Sequence, residues 1–318
     1  MLILVLSASA FAGAQTARPA AKPFPSREQA LQMATASVAA GRRTEAERLL
    51  AEAARRYQSV EALMQLARLL SEDGNARGAL DALSKARALA PNAEDVLFAS
   101  AQVSMATKLV TPALMSLQPL TRMCPDVAEY QYLFGVALMQ AGDIISSYEA
   151  LQRSDTLEPN RPLTLIALGL AANSRKMYAE ARQYLLRALE RQPDSIEGTA
   201  ALAEAEDGLG DSAAAETHAR RVLAKEPYNG TALLVLGLEL MKQNKYAEAR
   251  DAFTRSVAAE PSSAKPYYQL SLAYARLGDE VNSQKWRELY QQKLKEMDER
   301  VLAIRARTGL PSMGGMGR

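Results

Sequence analysis

Apolar residues recur at helical spacing along most of the chain, and one stretch shows the pattern most clearly. Residues 230–263 read GTALLVLGLELMKQNKYAEARDAFTRSVAAEPSS. Their spacing predicts an apolar helix over 231–242 and an amphipathic helix over 246–259. Pro261 ends the second helix, because proline lacks an amide hydrogen and clashes with the preceding turn. Two helices joined by so short a break form a hairpin that cannot bury both apolar faces alone, so we expect neighbouring hairpins.

The same pattern returns every 34 residues, which indicates a stacked array. Prolines follow this period at Pro91, Pro125, Pro159, Pro193, Pro227 and Pro261. A small residue recurs in the second helix, as Ala46, Ala79, Ala113, Ser147, Ala181, Ala215, Ala249 and Ser283. The turn between the helices holds glycine or a polar residue, namely Gly41, Gly74, Lys108, Gly142, Lys176, Gly210, Asn244 and Gly278. Glycine suits a left-handed backbone at such a turn.

This pattern of large, small, turn, alanine and proline positions resembles the tetratricopeptide repeat (TPR). The resemblance covers residues 27–297, as eight repeats. It implies an all-α fold, a right-handed α-superhelix (α-solenoid) of about eight helix hairpins, and a role in binding other proteins. It does not identify the partner.

The last repeat is predicted to end in a long capping helix, because residues 280–307 contain neither proline nor glycine. Residues 298–308 extend this helix, and 309–318 form a glycine-rich, disordered tail. An apolar stripe runs along the helix, made of Tyr290, Leu294, Met297, Val301 and Ile304. Such a stripe either folds back over the exposed end of repeat eight or pairs with the same helix of a second chain. We favour the cap, since terminal repeats need one for solubility.

Two repeats depart from the pattern. In repeat three, Thr111 and Pro112 predict a helix start, and Pro119 then lies inside that helix, where it should kink or shorten it. In repeat six, alanines replace bulky residues and Glu206 stands where repeat seven has Leu240. We expect repeat six to pack least well.

The first residues predict export. Residues 1–14 combine an apolar run with an Ala-Gly-Ala ending, which resembles a signal peptide cleaved before Gln15, although no basic residue precedes Arg18. Residues 15–26 contain three prolines and read as a linker. The expected location is therefore periplasmic or secreted, in a bacterial cell envelope.

Composition and residue inventory argue against catalysis. The net charge of +2 gives no overall field for nucleic acid or for an anionic membrane. The single His218 reads as a solvated surface residue, and the single Cys124 as a packed thiol. No metal-ligand spacing and no phosphate-binding loop occur. We therefore predict a protein that is not an enzyme and needs no cofactor or metal.

The candidate binding residues form a second stripe on the first helices. By resemblance, these places line the concave groove of the array. They are Met64, Phe98, Met105, Tyr132, Val136, Met139, Ile166, Leu170, Leu234, Leu238, Met241, Tyr268 and Leu272. Either they pack against neighbouring first helices, or they form a Met-rich trough for a helix or extended segment of a partner protein.

Carboxylates interrupt the stripe in repeat six, where Glu204 and Asp207 either select a basic partner residue or are solvated. A basic clamp for a peptide carboxylate, known in this family, is disfavoured because the corresponding places of the first two repeats hold Leu31, Thr35, Met64 and Arg68.

The sequence thus predicts an exported, non-catalytic interaction scaffold that binds a protein or peptide segment in the groove. The alternative is a structural or assembly subunit of a cell-envelope complex that oligomerises through its terminal helix.

Overall fold

The computed structural model describes residues 24–310, which form sixteen α-helices and no strand. The predicted signal peptide and nearly all of the predicted tail lie outside these residues, as does most of the linker. The helices are α1 (Arg27–Ala39), α2 (Arg43–Tyr57), α3 (Val60–Glu72), α4 (Ala76–Leu89), α5 (Glu94–Ala106), α6 (Val110–Met123), α7 (Ala128–Gln140), α8 (Ile144–Leu157), α9 (Pro162–Ser174), α10 (Tyr178–Arg191), α11 (Ile196–Leu209), α12 (Ser212–Lys225), α13 (Gly230–Lys242), α14 (Tyr246–Ala259), α15 (Lys265–Arg276) and α16 (Glu280–Thr308).

Consecutive helices pair as eight hairpins, and each hairpin packs on the next. The first helix α11 also contacts the first helices α9 and α13, so the odd-numbered helices form one face of the array. This arrangement confirms the predicted all-α superhelix of helix hairpins. The two helices read from residues 230–263 are confirmed to within one residue.

The repeated small positions explain how closely the two helices of a hairpin approach. All eight small residues of the second helices are fully buried, from Ala46 to Ser283. In the first helices, a Cβ on Gly169 would lie 2.5 Å from Leu185, and one on Gly237 would lie 2.4 Å from Phe253. These distances are too short for any side chain, so glycine is required by packing.

The turns between paired helices are left-handed whether or not they contain glycine. The turn glycines have φ between 74° and 83°. Lys108, Lys176 and Asn244 take φ of 57°, 59° and 60° at the equivalent turns. The backbone geometry of the turn is therefore kept where the glycine is not, at the modest cost of placing a side chain in this region.

Pro119 neither shortens nor breaks its helix. Helix α6 has 14 residues, as do α4 and α8, and it begins at Val110 rather than after Thr111. Pro119 cannot donate to the carbonyl of Met115, four residues earlier. Instead, Nη2 of Arg87 on α4 donates to that carbonyl at 3.0 Å. A neighbouring repeat thus satisfies the acceptor that the proline leaves free.

The environment of His218 differs from the predicted solvated surface. Its Nδ1 lies 2.7 Å from Oε2 of Glu206, whose residue is only 5% exposed. Burial raises the pKa of Glu206 above its usual 4.5 and outweighs the hydrogen bond and charge of His218, which lower it. The buried Glu206 and the partly buried His218 therefore form a polar pair in a repeat otherwise rich in buried alanines, which include Ala200, Ala203, Ala215 and Ala219.

The terminal helix α16 has the predicted length but ends elsewhere than expected. Its first turns pack on α15, within repeat eight. Its last turns contact α6, in repeat three, rather than lying over the exposed end of repeat eight. The apolar stripe is therefore partly buried within the same chain, with Ile304 only 7% exposed.

We predict that Arg87 and Pro119 are energetically coupled. Arg87→Ala should lower the free energy of unfolding by about 1 kcal/mol, the usual net value of one hydrogen bond. In a Pro119→Ala background the amide of residue 119 can bond to Met115 itself, so the same arginine change should cost clearly less. Urea unfolding of the four proteins in this double-mutant cycle measures the coupling. Equal losses in both backgrounds would contradict the assignment.

A second prediction concerns pH. Because the folded pKa of Glu206 is raised, its contribution to stability is complete below pH 4.5 and is lost as the pH rises through the folded pKa. Glu206→Gln cannot ionise, so its unfolding free energy relative to wild type should increase with pH above 4.5. Urea titrations between about pH 4 and 7 measure the trend. Glu216→Gln on the next helix, α12, is the control. The hydrogen bond from Arg220 lowers the pKa of Glu216, so its contribution to stability is already complete above pH 4.5 and its trend there should be flat.

Candidate partner-binding groove

The first helices of the hairpins build one face of the array, which we call the groove. Two of the cavities along it contain residues of the predicted stripe. The N-terminal cavity has a volume of 520 Å³ and lies between repeats two and three. Helix α3 supplies Met64 and Arg68 to it, and α5 supplies Gln102 and Val103. It is open, and both apolar and polar side chains line it.

The C-terminal cavity, also 520 Å³, is built by repeats four to eight. One wall consists of apolar side chains from first helices, namely Met139, Leu170, Leu234, Leu238 and Tyr268. The other wall comes from α16, which supplies Tyr290, Leu294 and Met297. The rings of Tyr268 and Tyr290 lie 5.3 Å apart, so the two walls meet at this aromatic pair. The terminal helix is thus part of the groove.

The predicted stripe divides between these cavities and the packed interior. Lining a cavity are Met64, Met139, Leu170, Glu204, Leu234, Leu238 and Tyr268. Partly buried against core clusters are Phe98, Met105, Tyr132, Val136 and Met241. Ile166 is 3% exposed and belongs to the core, and Leu272 is half-buried. Lining a cavity and packing on the core are not exclusive, because Met64, Met139, Leu170 and Leu238 do both and Leu234 belongs to a core cluster.

Two aromatic residues of the stripe are held by specific contacts. The ring of Phe98 lies 5.1 Å from that of Tyr130, whose hydroxyl donates to Glu94 at 2.7 Å. The guanidinium of Arg161 lies 4.9 Å above the ring of Tyr132, a cation–π contact between adjacent repeats. These residues therefore fix the spacing of repeats three to five, beside the cavities rather than inside them.

The carboxylates of repeat six form ion pairs within the chain. Lys242 donates to Asp207 at 2.7 Å and to the buried Glu239 at 2.8 Å. Burial alone would lower the pKa of Lys242, but these two carboxylates outweigh it and raise the pKa. Lys265 pairs in the same way with Glu204. Repeats six, seven and eight are thus joined by ion pairs along the groove.

Glu260 is the charged group of the C-terminal cavity that forms no ion pair among residues 24–310. Its carboxyl lies above Gly230, where an added Cβ would approach it to 2.5 Å. Desolvation, reinforced by the charge of Glu204, raises the pKa of Glu260 above its usual value, while a backbone hydrogen bond from Thr231 opposes this shift and the residue stays exposed. A cation bound beside the carboxylate would lower this pKa.

Sequence reasoning missed the residues of α16 that form the second wall. Their stripe was visible as a helical spacing, but no pattern along the chain indicates which distant surface a stripe contacts. The contribution of α5 to the N-terminal cavity was also missed, because Gln102 and Val103 lie beside the predicted Phe98 and Met105 rather than on them.

Metal binding and thiol reactivity have little support in the part of the chain that the structure describes. No three side chains of His, Cys, Asp or Glu come together there as metal ligands would. Burial raises the pKa of the Cys124 thiol, which disfavours the reactive thiolate. No helix between residues 24 and 310 combines the length and hydropathy that crossing a bilayer requires.

Comparison with known structures gives similar helical arrays. A tetratricopeptide repeat protein from Parabacteroides merdae is 16% identical, with a TM-score of 0.58 over 78% of this chain and 98% of that one. PilW, a type IV pilus biogenesis factor, is 18% identical, with a TM-score of 0.52 over 65% of this chain and 96% of that one. The Cut9–Hcn1 hetero-tetramer of APC/C is 16% identical, with a TM-score of 0.56 over 78% of this chain and 52% of that one. These likenesses concern the fold.

Comparison with curated protein sequences gives no match. The family model described as tetratricopeptide repeat matches residues 31–94, 145–196, 200–264 and 234–283, which together exceed half of the chain. With its period, its hairpins and this match, the chain belongs to the tetratricopeptide repeat family.

Proposed function

We propose that this protein is an exported, non-catalytic scaffold that binds a segment of a partner protein in the groove. The observation that carries the proposal is the pair of apolar cavities on one face, each large enough for several side chains. Half-buried methionines line both, and methionine adapts to varied partner shapes. Membership of a repeat family built for protein binding agrees with this function.

The chemistry of the cavities describes the partner segment further. Apolar side chains fit between Leu234 or Leu238 and the α16 wall, while Glu260 favours one positive charge nearby. Since the other groove carboxylates are paired with lysines, a strongly basic segment would gain little. The preferred partner is therefore an apolar segment that carries a single Lys or Arg.

The second candidate is an assembly subunit that oligomerises through α16. The exposed side chains of Leu294, Met297 and Leu302 favour it, because they leave apolar surface on the helix. Light scattering at a series of protein concentrations distinguishes the two functions, since the scaffold needs no self-association.

Export predicts a defined mature terminus. When the chain is expressed in a bacterial host with its own first residues, we expect the protein recovered from the periplasmic fraction to begin at Gln15. Intact mass spectrometry measures this terminus. Ala12→Asp, which alters the predicted cleavage motif, should leave the precursor uncut. Recovery of the uncut wild-type chain from the cytoplasm would contradict export.

Groove binding predicts different effects for exposed and inner methionines. Peptides selected from a displayed library against the full chain should bind Met64→Ser or Met139→Ser at least about tenfold more weakly, a loss of about 1.4 kcal/mol. The variant with the weakened affinity identifies the cavity that the peptide occupies. Fluorescence anisotropy measures the affinity.

Met123→Ser is the matched control, because Met123 is 44% exposed on the second helix α6 and lines neither cavity. Thermal unfolding is measured in parallel, with Leu168→Ala as the reference core change, expected to cost about 2–5 kcal/mol. If the inner methionine variants lose as much stability as Leu168→Ala, these side chains are core. If they bind all selected peptides like the Met123 variant, the groove is not the binding surface.

A further inference from the structure

The far end of α16 is anchored to repeats three and four, more than 150 residues away in sequence. Nη2 of Arg300 donates to the carbonyl of Gln140 at 3.0 Å, at the end of α7. Ile304 is 7% exposed and joins the core cluster that contains Leu114 and Leu117 of α6. The side-chain amide of Gln118, with its nitrogen turned toward the helix, lies 3.2 Å from the carbonyl of Thr308. We call these contacts the anchor.

Gly142 makes room for the anchor. A Cβ at this position would lie 2.9 Å from a methyl of Val301, whereas a Cβ on Gly74, at the same place in repeat two, would meet nothing within 4 Å. Both glycines have positive φ, 83° and 74°. The close approach of α16 is therefore what distinguishes Gly142 from the equivalent turn in repeat two.

Between repeat eight and the anchor, α16 covers the C-terminal cavity without filling it. Tyr290, Leu294 and Met297 face this cavity, yet Leu294 and Met297 remain 39% and 43% exposed. The helix has 29 residues, about 43 Å at 1.5 Å per residue, so it reaches across the groove. A free helical segment as short as its last half is unstable in water, so the anchor holds it in place.

We infer that the groove and the anchor together form a docking surface for an amphipathic helix, and that α16 is the occupant that the chain itself supplies. The partner would be a helix with apolar side chains at the spacing of Leu294, Met297, Val301 and Ile304, and a basic residue at the place of Arg300. It would displace the far end of α16. This inference rests on the proposed groove function and specifies its partner.

Two features of the chain support a displaceable occupant. The anchored segment, residues 300–308, fully buries one large side chain, that of Ile304, while Val301 is half-buried. Its hold on repeats three and four is thus limited to a few contacts. A partner helix that also filled the cavity would bury more apolar surface than α16 does.

The test supplies the occupant as a separate molecule. A fluorescent peptide with the sequence of residues 284–310 is titrated into the full chain, into Ile304→Asp and into Leu302→Asp. Leu302 is 63% exposed on the same helix, so it is the matched control. Wild type and the Leu302 variant should bind the peptide weakly, because α16 occupies the surface. The Ile304 variant should bind it at least about tenfold more tightly, since a competing ligand has been removed.

Gly142→Ala distinguishes the loss of the docking surface from the release of α16. The added methyl should release α16 and also block the peptide, so this variant should show faster hydrogen exchange at residues 300–308 without tighter peptide binding. Gly74→Ala carries the same backbone strain and should change neither. Ile304→Asp should also speed this exchange by about tenfold or more, while thermal unfolding verifies that each variant remains folded.

Three results would overturn the inference. The first is unchanged exchange at residues 300–308 in the Ile304 variant. The second is faster exchange with no gain in peptide affinity, which would make the anchor a structural contact and not a docking surface. The third is a wild-type dimer that Ile304→Asp converts to a monomer, which would place α16 on a second copy. None of these depends on the library peptides that test the groove function, so the two proposals fail separately.

Discussion

The structure depends on the close approach of two helices within each hairpin. The buried small residue of the second helix permits it, and in several repeats a glycine of the first helix completes it. At Gly237 the side chain of Phe253 occupies the space that a Cβ would need. A larger residue would separate the helices and so displace the next hairpin, because each repeat is positioned only by its neighbours. These contacts between paired helices also determine the shape of the groove, because they position the first helices that form its walls.

Arginines at one-period spacing hold the loops between repeats. Arg221 donates to the carbonyl of Pro193, and Arg255 to that of Pro227, at 3.0 and 2.7 Å. Arg187, 34 residues before Arg221, bonds to the side chain of Asn160 at 2.7 Å. Each contact fixes one repeat to the loop that precedes it. The repeated proline therefore ends a helix and also presents a carbonyl that the next repeat recognises.

Local and periodic features were predictable from the sequence, and distant pairings were not. Helix bounds, left-handed turns and buried alanines follow from residue type and a 34-residue period, because the contacts involved recur in every repeat. The Glu206–His218 pair was not predicted, because each residue taken singly is an isolated departure from the repeat pattern. Only the short distance between the two side chains explains why both departures occur. The division of the inner stripe into core and cavity also depends on how far neighbouring helices separate, which differs between Ile166 and Leu170.

The terminal helix restricts how the array can change its length and superhelical pitch. Stacked repeats have contacts between neighbours only, so a solenoid can lengthen or twist by small changes at each interface. The bond from Arg300 to Gln140 joins residues 160 positions apart. Together with the packing of Ile304 on α6, it closes repeats three to eight into a loop. Within that loop, any change in superhelical pitch must strain the anchor or break it. The width of the C-terminal cavity is therefore coupled to the position of α16. At the N-terminal cavity, only the wall from repeat three belongs to the loop, and the wall from repeat two can adjust independently.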